Sequence, residues 1–397
     1  MREGWQRVAL GDTYTLMQDR VDDPRTASGL RYVGMEHIEP GVALRQWGDP
    51  TSVTSAKTRF SKGDVLFGRL RPYLRKVARA PWDGLASTEI LVLRAQTDRC
   101  LPEMLHLLIG SEHVLQQAIQ QSAGSRMPRT SARDLAQVAV SLPPLDEQRR
   151  IVDLIGSLDA TIAATDQAVA KAEQARRASI VASIGGQDPR RSLTRVTLAE
   201  ITSFAGGYAF PEKHQGQDSG DVPFLKVSDM NSVGNETTIT RANHWVSEST
   251  LTAMRARAWP PGTVIFPKVG AALLTEKRRV LGERAAFDNN IMGLIPGPLV
   301  EPGFLLAFME TVRLGRLAQP GAVPSVNQKH IDSIPLALPS LGDQRCIMGI
   351  IAAFDDATAA LRATTGAARV TRRGMLSGLL SGAHEIPSTY DRLLEAA

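Results

Sequence analysis

The residues LPPLDEQRRI at positions 142–151 return as LPSLGDQRCI at positions 338–347. The separation is 196 residues, and at this separation Gln148 and Arg149 meet identical partners, Gln344 and Arg345. Earlier segments match at slightly different separations, such as GDVLF at 63–67 and GTVIF at 262–266. A period this long, with loops of unequal length, predicts a duplicated domain rather than a solenoid of short repeats.

Each copy of this motif stands at the start of a predicted long helix. Pro143 and Pro144 cannot lie inside a helix and therefore bound its start, while Asp146 and Glu147 suit the positive end of the helix dipole. Residues at alternating spacings of four and three then form an apolar seam, the pattern of a coiled coil. The first seam consists of Ile151, Ile155, Leu158, Ile162, Thr165, Val169 and Ala172, and the second of Ile347, Ile351, Phe354, Thr358, Leu361, Thr365 and Ala368.

Two such seams in one chain predict that the two helices pack on each other. The alternative is that each helix docks only on the globule beside it. About 40 residues at ~1.5 Å each would form a rod of roughly 60 Å. Leu154, Ile180 and Ile184 lie off the seam, so we expect them to need cover from a partner protein.

The segments before the helices mix short β-like runs with helix-like runs such as residues 102–121, and Gly and Pro separate them. The predicted fold class is therefore mixed α/β (α+β), with two similar globular domains that are each followed by a long helix. The predicted bounds are 1–145 for the first domain, 146–187 for the first helix, 188–341 for the second domain, 342–386 for the second helix and 387–397 for a C-terminal tail.

Composition removes several classes of protein. The 397 residues suffice for two or three domains, and the two cysteines, Cys100 and Cys346, cannot form a zinc site or a disulfide framework. The sequence has no Gly-Lys dipeptide, hence no P-loop, and no Gly-x-Ser-x-Gly nucleophile elbow. It has no apolar run of membrane-spanning length and no signal-like start, so we expect a cytoplasmic protein.

The positive charge is unevenly distributed. The net charge of the chain is +5. Residues 1–145 contain 19 basic and 15 acidic side chains, and residues 188–341 contain 16 basic and 14 acidic ones. The two predicted helices with the tail hold no excess, at 5 against 6 and 6 against 6. The surplus therefore belongs to the two globular domains.

The densest basic stretch, residues 57–79, has eight basic side chains, one acid and Tyr73. The corresponding region of the second domain is also basic. Such side chains beside a glycine-rich turn suit contact with phosphates, and arginine can read guanine in the major groove, whereas the alternative is an ordinary solvated basic face. The candidate DNA-binding residues are Lys57, Arg59, Arg69, Arg71, Tyr73, Arg75, Lys76, Arg126, Arg129, Lys268, Lys277, Arg278, Arg279 and Lys329.

Two similar DNA-reading domains joined by paired helices would recognise two short sequence elements at a fixed separation. The helices would set the spacing and each domain one half-site, as in dimeric DNA-binding proteins. A single sequence does not sort the candidates into base-reading and phosphate-contacting residues.

The whole arrangement resembles the specificity (S) subunit of type I restriction–modification systems. The resemblance rests on the twice-occurring Leu-Pro-x-Leu-x-[Glu/Asp]-Gln-Arg-x-Ile pattern before each helix, and on GGYAF at 206–210 followed by VPFLKVSDM at 222–230. It implies two target recognition domains that each read half of a split double-stranded DNA sequence, and two spacer helices in an antiparallel coiled coil. It also implies a non-catalytic chain without a cofactor of its own.

The same resemblance implies the partners. These are modification subunits, which bind S-adenosylmethionine and methylate adenine, and a restriction subunit that translocates and cleaves DNA, so ATP and Mg are expected on partner chains. At the base of each helix, Gln148, Arg149, Gln344 and Arg345 would cap the helix or tie it to its domain, or else contact a modification subunit. The second copy has Gly342 where the first has Asp146, and Ser340 where the first has Pro144. The position at which the second helix starts therefore does not follow from the sequence.

Three other functions stay open at this point. The first is an enzyme, a nuclease or transferase without a recognisable motif. The second is a coiled-coil scaffold that binds DNA without sequence preference. The third keeps the architecture but serves a solitary adenine methyltransferase or another phage-defence complex.

Overall fold

The computed structural model describes residues 2–27, 29–122, 127–184, 192–319 and 323–394, with side chains to residue 392. The chain forms two compact units, which are described separately. The first unit comprises residues 1–166 and 363–397, and the second comprises residues 167–362. Each unit holds one globular domain and a part of each long helix, so the unit borders fall within the predicted helices.

In its described residues the first unit has ten strands and three short α-helices before the first long helix. The strands are β1 (Gln6–Ala9), β2 (Tyr14–Leu16), β3 (Arg20–Val21), β4 (Arg31–Val33), β5 (Lys57–Phe60), β6 (Val65–Gly68), β7 (Val77–Arg79), β8 (Gly84–Ala86), β9 (Ile90–Ala95) and β10 (Ala139–Leu142). The helices are α1 (Pro102–Ile109), α2 (Glu112–Gln121), α3 (Ala132–Ala136) and the long α4 (Leu145–Ile184), which continues into the second unit.

The second unit repeats this order. Its strands are β11 (Leu193–Thr197), β12 (Thr202–Gly206), β13 (Val222–Leu225), β14 (Thr238–Ile239), β15 (Trp245–Val246), β16 (Val264–Pro267), β17 (Arg279–Leu281), β18 (Ala286–Phe287), β19 (Ile291–Pro296) and β20 (Pro335–Pro339). Its helices are α5 (Leu198–Ile201), α6 (Glu248–Ala253), α7 (Gly270–Leu273), α8 (Pro302–Thr311), α9 (Leu314–Leu317), α10 (Gln328–Asp332) and the long α11 (Leu341–Leu380), followed in the first unit by α12 (Asp391–Leu394).

Strand order demonstrates the duplication. The first domain has a sheet of order β2-β9-β6-β7, and the second has β12-β19-β16-β17 with β14 added at the edge. A second sheet in each domain contains a parallel pair, β4 with β8 and β13 with β18. A third antiparallel pair, β1 with β10 and β11 with β20, leads directly into each long helix. The predicted mixed α/β fold with two similar domains is confirmed.

The long helices pack against each other in both units. In the first unit α11 residues Arg369 and Arg372 pair with Asp166 and Asp159 of α4. Residue numbers therefore rise along one helix as they fall along the other, which makes the pair antiparallel. The second unit repeats this order: Arg362 pairs with Glu173 and Arg176 with Asp355.

Every residue of the two predicted seams is buried or half-buried. At their N-terminal ends the helices also pack on the neighbouring domain, because Ile151 and Ile155 belong to the core of the first unit. Ile347 and Ile351 do the same in the second. Both packing modes that the seams allowed are thus present, helix on helix and helix on domain.

Three expectations need correction. Ile180 and Ile184 need no partner protein for cover, because both are buried in the core of the second unit, and Leu154 is half-buried in the core of the first. The run 102–121 is two helices rather than one, since Gly110 ends α1 and the Ser111 hydroxyl accepts the Val114 N–H to begin α2.

The second long helix ends at Leu380, before the predicted bound at residue 386. Gly382 has a positive φ of 75°, a conformation that favours glycine and stops a helix. The predicted end of the first helix, with Gly185, Gly186 and Pro189, lies outside the described residues.

Candidate nucleic-acid interface

In each domain one loop joins two neighbouring strands of the main sheet and is held by a distant segment. In the first domain this is loop A, residues 69–76, between β6 and β7. The Arg69 N–H donates to Glu89 O at 2.9 Å, and the Arg71 N–H donates to Pro128 O at 2.7 Å. The Thr130 N–H in turn donates to Arg69 O at 3.0 Å, so loop A is bound to the segment 128–130.

Loop B, residues 268–278 between β16 and β17, is built in the same way. The Lys268 N–H donates to Asn290 O at 2.8 Å, the Gly270 N–H to Pro324 O at 2.8 Å, and the Val326 N–H to Lys268 O at 2.9 Å. Lys268 is therefore the counterpart of Arg69. By the same pairing, Ser325 occupies the place that Arg129 holds in the first domain.

Each loop contains a turn that is bounded on both sides by a residue in the left-handed region of backbone conformation. In loop A these are Arg71 and Arg75, each with φ of 53°. In loop B they are Gly270 at 72° and Glu276 at 55°. For a residue other than glycine this conformation costs about 1–2 kcal/mol, so the surrounding contacts must enforce it.

Ion pairs and hydrogen bonds anchor the C-terminal end of each loop. Arg75 forms a two-pronged ion pair with Glu112 of α2, at 2.6 and 2.7 Å. Hydrogen bonding from Arg75 and then from Gln116 lowers the pKa of Glu112 to about 2. In loop B the Glu276 carboxylate accepts the backbone N–H groups of Leu314 and Gly315 at 3.1 and 2.9 Å. The C-terminal end of each loop is thus fixed by contacts within its own domain.

Some predicted DNA-binding residues have exposed side chains. These are Arg59, Arg71, Tyr73, Arg129 and Lys329, whereas Arg69 and Lys268 are half-buried. Arg71 and Lys329 make no ion pair with any residue that the structure describes, so their charges are available to an external anion. Arg129 is engaged with Glu89 at 2.9 Å, which lowers the pKa of that carboxyl group.

Other candidates are held inside the fold. Lys57 is only 4% exposed, its ammonium group donates to Ser55, and burial lowers its pKa. Arg278 is 6% exposed and donates to Glu276 and to Val312 O. These two side chains do not form part of an exposed basic face, because their hydrogen-bonding groups are directed to the protein itself.

Three more candidate DNA-binding residues donate hydrogen bonds to other parts of the protein. Lys76 donates to Met35 O at 2.6 Å, Lys277 donates to the Asn231 side chain, and Arg279 donates to two backbone carbonyl groups. Arg126 lies outside the described residues. The basic stretch of the sequence is therefore divided by the fold into exposed cations and structural ones.

Gln148 and Gln344 make the same set of hydrogen bonds at the bases of the two long helices. The Gln148 side chain is fully buried, donates to Arg99 O and Pro143 O at 2.8 and 2.9 Å, and accepts the Leu101 N–H at 2.9 Å. It thereby ties the start of α4 to the loop that precedes α1.

In the second domain Gln344 is equally buried and donates to Leu299 O and Pro339 O, each at 2.9 Å. It accepts the Glu301 N–H at 2.8 Å. The neighbouring arginines behave differently: Arg149 and Arg345 are exposed and pair with Asp146 and Glu301.

The second helix begins at the position equivalent to the first despite its two substitutions. Ser340 replaces the proline, and its hydroxyl accepts the Asp343 N–H at 3.2 Å and lies 2.7 Å from the Asp343 carboxylate. The Ser340 hydroxyl thus caps the N-terminus of the second long helix, which has Gly342 where the first has Asp146.

Two further observations concern other kinds of site. Within the described ranges, no group of His, Cys, Asp and Glu side chains is arranged to hold a metal ion. Over the same ranges no helix has the length and apolar character required to cross a membrane.

Known proteins share this duplicated architecture. The sequence model of the family described as "Type I restriction modification DNA specificity domain" matches residues 3–174 and 193–368. The chain is 28% identical over 200 residues to the type I restriction enzyme EcoDI specificity subunit of Escherichia coli, covering 48% of this chain and 44% of that protein. It is 26% identical over 166 residues to the HindI specificity subunit of Haemophilus influenzae, covering 38% and 36%.

Each of these alignments spans less than half the length of the relative. Among solved structures, one chain described by the words "complex assembly and conformational transition of the type I R-M system" matches with a TM-score of 0.66 and 21% identity, over 96% of this chain and 98% of that one. This match shows a common fold. Because the family's sequence model covers most of both halves, the chain belongs to the type I restriction modification DNA specificity domain family.

Proposed function

We propose that this chain is the DNA-recognition subunit of a type I restriction–modification complex, with each domain reading one half of a split double-stranded DNA sequence. The observation that carries the proposal is the duplicated loop. Loops A and B share their backbone hydrogen bonds and a turn bounded by left-handed residues, and each presents cations beside that anchored turn. Two copies of one recognition element suit two half-sites.

The proposed division of labour follows the predicted segments. Residues 1–145 and 188–341 are the two target recognition domains, residues 146–187 and 342–386 are the spacer helices, and 387–397 is a tail. The antiparallel pairing of α4 with α11 gives the spacer a stiff framework. The length of that framework would set the number of base pairs between the half-sites.

The proposed DNA contacts are the candidates that the fold leaves accessible. Arg71 and Lys329 are exposed without an ion pair among the described residues and would contact phosphates. Arg59, Arg69, Tyr73, Arg129 and Lys268 would complete the surface. Arg75 acts as a positioning residue, since both prongs of its guanidinium group hold Glu112.

The remaining parts of the proposal concern partners. The chain itself is non-catalytic and works in the cytoplasm with modification subunits that bind S-adenosylmethionine and with a restriction subunit that uses ATP and Mg. Exposed apolar side chains on the long helices, namely Val181, Ile350 and Val370, together with Arg149 and Arg345 at the helix bases, offer surface for these subunits.

Methylome sequencing of the host with and without this gene tests the proposed function. We expect adenine methylation at one split sequence, with two short defined elements and an undefined spacer, and its loss when the gene is deleted. Methylation that is unchanged by the deletion, or that follows a continuous motif, would contradict the proposal.

A salt titration separates the phosphate-binding cations from the structural ones. Arg71→Gln or Lys329→Gln in the assembled complex should weaken DNA binding and reduce the slope of log K against log salt by ~0.9 for each phosphate that is no longer neutralised. Arg25→Gln is the control, because Arg25 is already paired with Asp23, and it should leave the slope unchanged. Equal slopes in all three variants would show that neither residue meets a phosphate.

A further inference from the structure

Exposed apolar side chains are concentrated at loops A and B. Of twelve large apolar side chains that are exposed among the described residues, three lie in these loops and two more lie beside the prolines hydrogen-bonded to them. Tyr73, Leu74 and Met127 belong to the first domain, and Leu274 and Val323 to the second. Single exposed apolar residues are ordinary, but the same grouping in both copies of a duplicated domain is not explained by chance exposure.

The exposed leucines lie at neighbouring positions of the two turns, and Met127 and Val323 lie at equivalent ones. Leu74 ends a single helical turn, Pro72–Leu74, and Leu274 immediately follows the turn Gly270–Leu273. Both lie between the left-handed residues that bound their turn. Met127 and Val323 each precede the proline whose carbonyl group accepts the first left-handed N–H of the loop.

Both leucines keep an exposed surface although the turns that carry them are anchored. Leu74 is 38% exposed and Leu274 is 58% exposed, although each loop is firmly anchored through Arg75 or Glu276. Left-handed residues lie on both sides of each exposed leucine, and backbone strain of this kind is typical of ligand-binding sites. We therefore take the two turns as binding a ligand. Cations flank each leucine, namely Arg69 and Arg71 in loop A and Lys268 in loop B, so the ligand is an anion with an apolar edge.

Within DNA the apolar edge that matches an aliphatic tip is the C5 methyl group of thymine, which lies in the major groove. Aromatic stacking is not the shared feature, because loop B carries Leu274 and Thr275 where loop A carries Tyr73 and Leu74. An exposed leucine near the end of the turn is common to both loops, one position apart. A single helical turn is also narrow enough for a groove about 12 Å wide.

We propose that Leu74 in the first domain and Leu274 in the second contact thymine methyl groups in the major groove, so that each loop reads an A·T pair through apolar contact. This inference rests on the proposed function and names the base contact within it. The flanking cations position the loop on the backbone, and the leucine supplies discrimination.

The test uses the assembled complex and duplexes that carry the split site found by methylome sequencing. Each thymine of a half-site is replaced in turn by deoxyuracil, which lacks only the methyl group. For the parent complex we expect one replacement in each half-site to weaken binding about fourfold, the worth of one buried methyl group. Leu274→Ala should weaken binding to the thymine duplex similarly and should abolish the uracil effect in one half-site only.

Leu74→Ala should do the same for the other half-site, so each variant has an unaffected half-site as internal control. Val42→Ala and Val233→Ala are matched controls, because both residues are exposed valines outside the loops, at 46% and 80%. The leucine variants should keep the salt slope of the parent, since no charge is removed.

Three results would overturn the inference while the proposed function stands. One is a parent complex that tolerates uracil at every position. Another is a leucine variant that weakens thymine and uracil duplexes equally. The third is DNA bending that disappears in the leucine variants without any uracil effect, which would show a side chain inserted between base pairs instead. A parent that recognises no split sequence would overturn both the proposed function and this inference.

Discussion

Adding four residues to each long helix is expected to lengthen the spacer of the recognised DNA sequence by roughly one or two base pairs and to leave the half-sites unchanged. Four residues extend a helix by about 6 Å, and base pairs are stacked at ~3.4 Å. The insertions belong after Ala170 in α4 and after Arg362 in α11. The ion pair Asp166–Arg369 lies on one side of both insertion points and the ion pair Glu173–Arg362 on the other. Equal insertions in the two helices therefore leave both ion pairs in register.

The phase of the helix provides the matched control. Four residues turn the helix by about 400°, which keeps the apolar seam nearly in place, whereas two residues turn it by about 200° and move the seam to the opposite face. The two-residue pair of insertions should therefore abolish site-specific methylation. Methylation-site mapping is the measurement. An unchanged spacer after the four-residue insertions would show that the spacing is set within the domains.

Replacing Gln148 with leucine is expected to lower the free energy of unfolding by roughly 3 kcal/mol or more. The buried amide satisfies one N–H and two carbonyl groups of the backbone, and each buried group left without a partner costs about 1–3 kcal/mol. In a unit of this size that loss corresponds to about 6–12 °C in Tm. Gln344→Leu should behave alike, because Gln344 makes the equivalent three bonds.

The Tm is measured by thermal unfolding of the assembled complex, and the protease sensitivity of the chain is measured beside it. Arg149→Leu serves as the control, since Arg149 lies next in sequence but is exposed and pairs only with Asp146. It should shift Tm by little, because exposed ion pairs contribute at most about 1 kcal/mol. Equal Tm values for the parent and the Gln148→Leu variant would show that the amide is not what ties the helix to the domain.

Much of the fold follows from local sequence patterns. The repeated motif predicts the duplication, the paired prolines predict where α4 begins, and the spacing of Ile151, Ile155 and Ile162 predicts the buried face. These features depend on residues within one or two helical turns of each other, so they are visible in the sequence. The break between α1 and α2 depends on local signals as well, a Gly-Ser pair that is easily read as part of one longer helix.

The sequence predicted the accessible residues of the candidate site only in part. Lys57 and Arg71 belong to the same basic stretch, yet Lys57 is buried against Ser55 while Arg71 is exposed. Arg75 is committed to Glu112, which lies 37 residues further along the chain. Whether a basic residue is free or paired depends on acids that only the folded chain brings close.

Sequence by itself determined that each of two similar domains is followed by a long helix and that the excess of positive charge belongs to the domains. Only the tertiary structure decided which cations remain accessible, and that the loops containing Leu74 and Leu274 each hold a turn between two left-handed residues and are anchored by distant segments. The physical reason is the range of the interactions. Periodicity and helix boundaries arise from neighbours along the chain, whereas burial, ion pairing and enforced backbone strain arise from segments far apart in sequence that folding brings into contact.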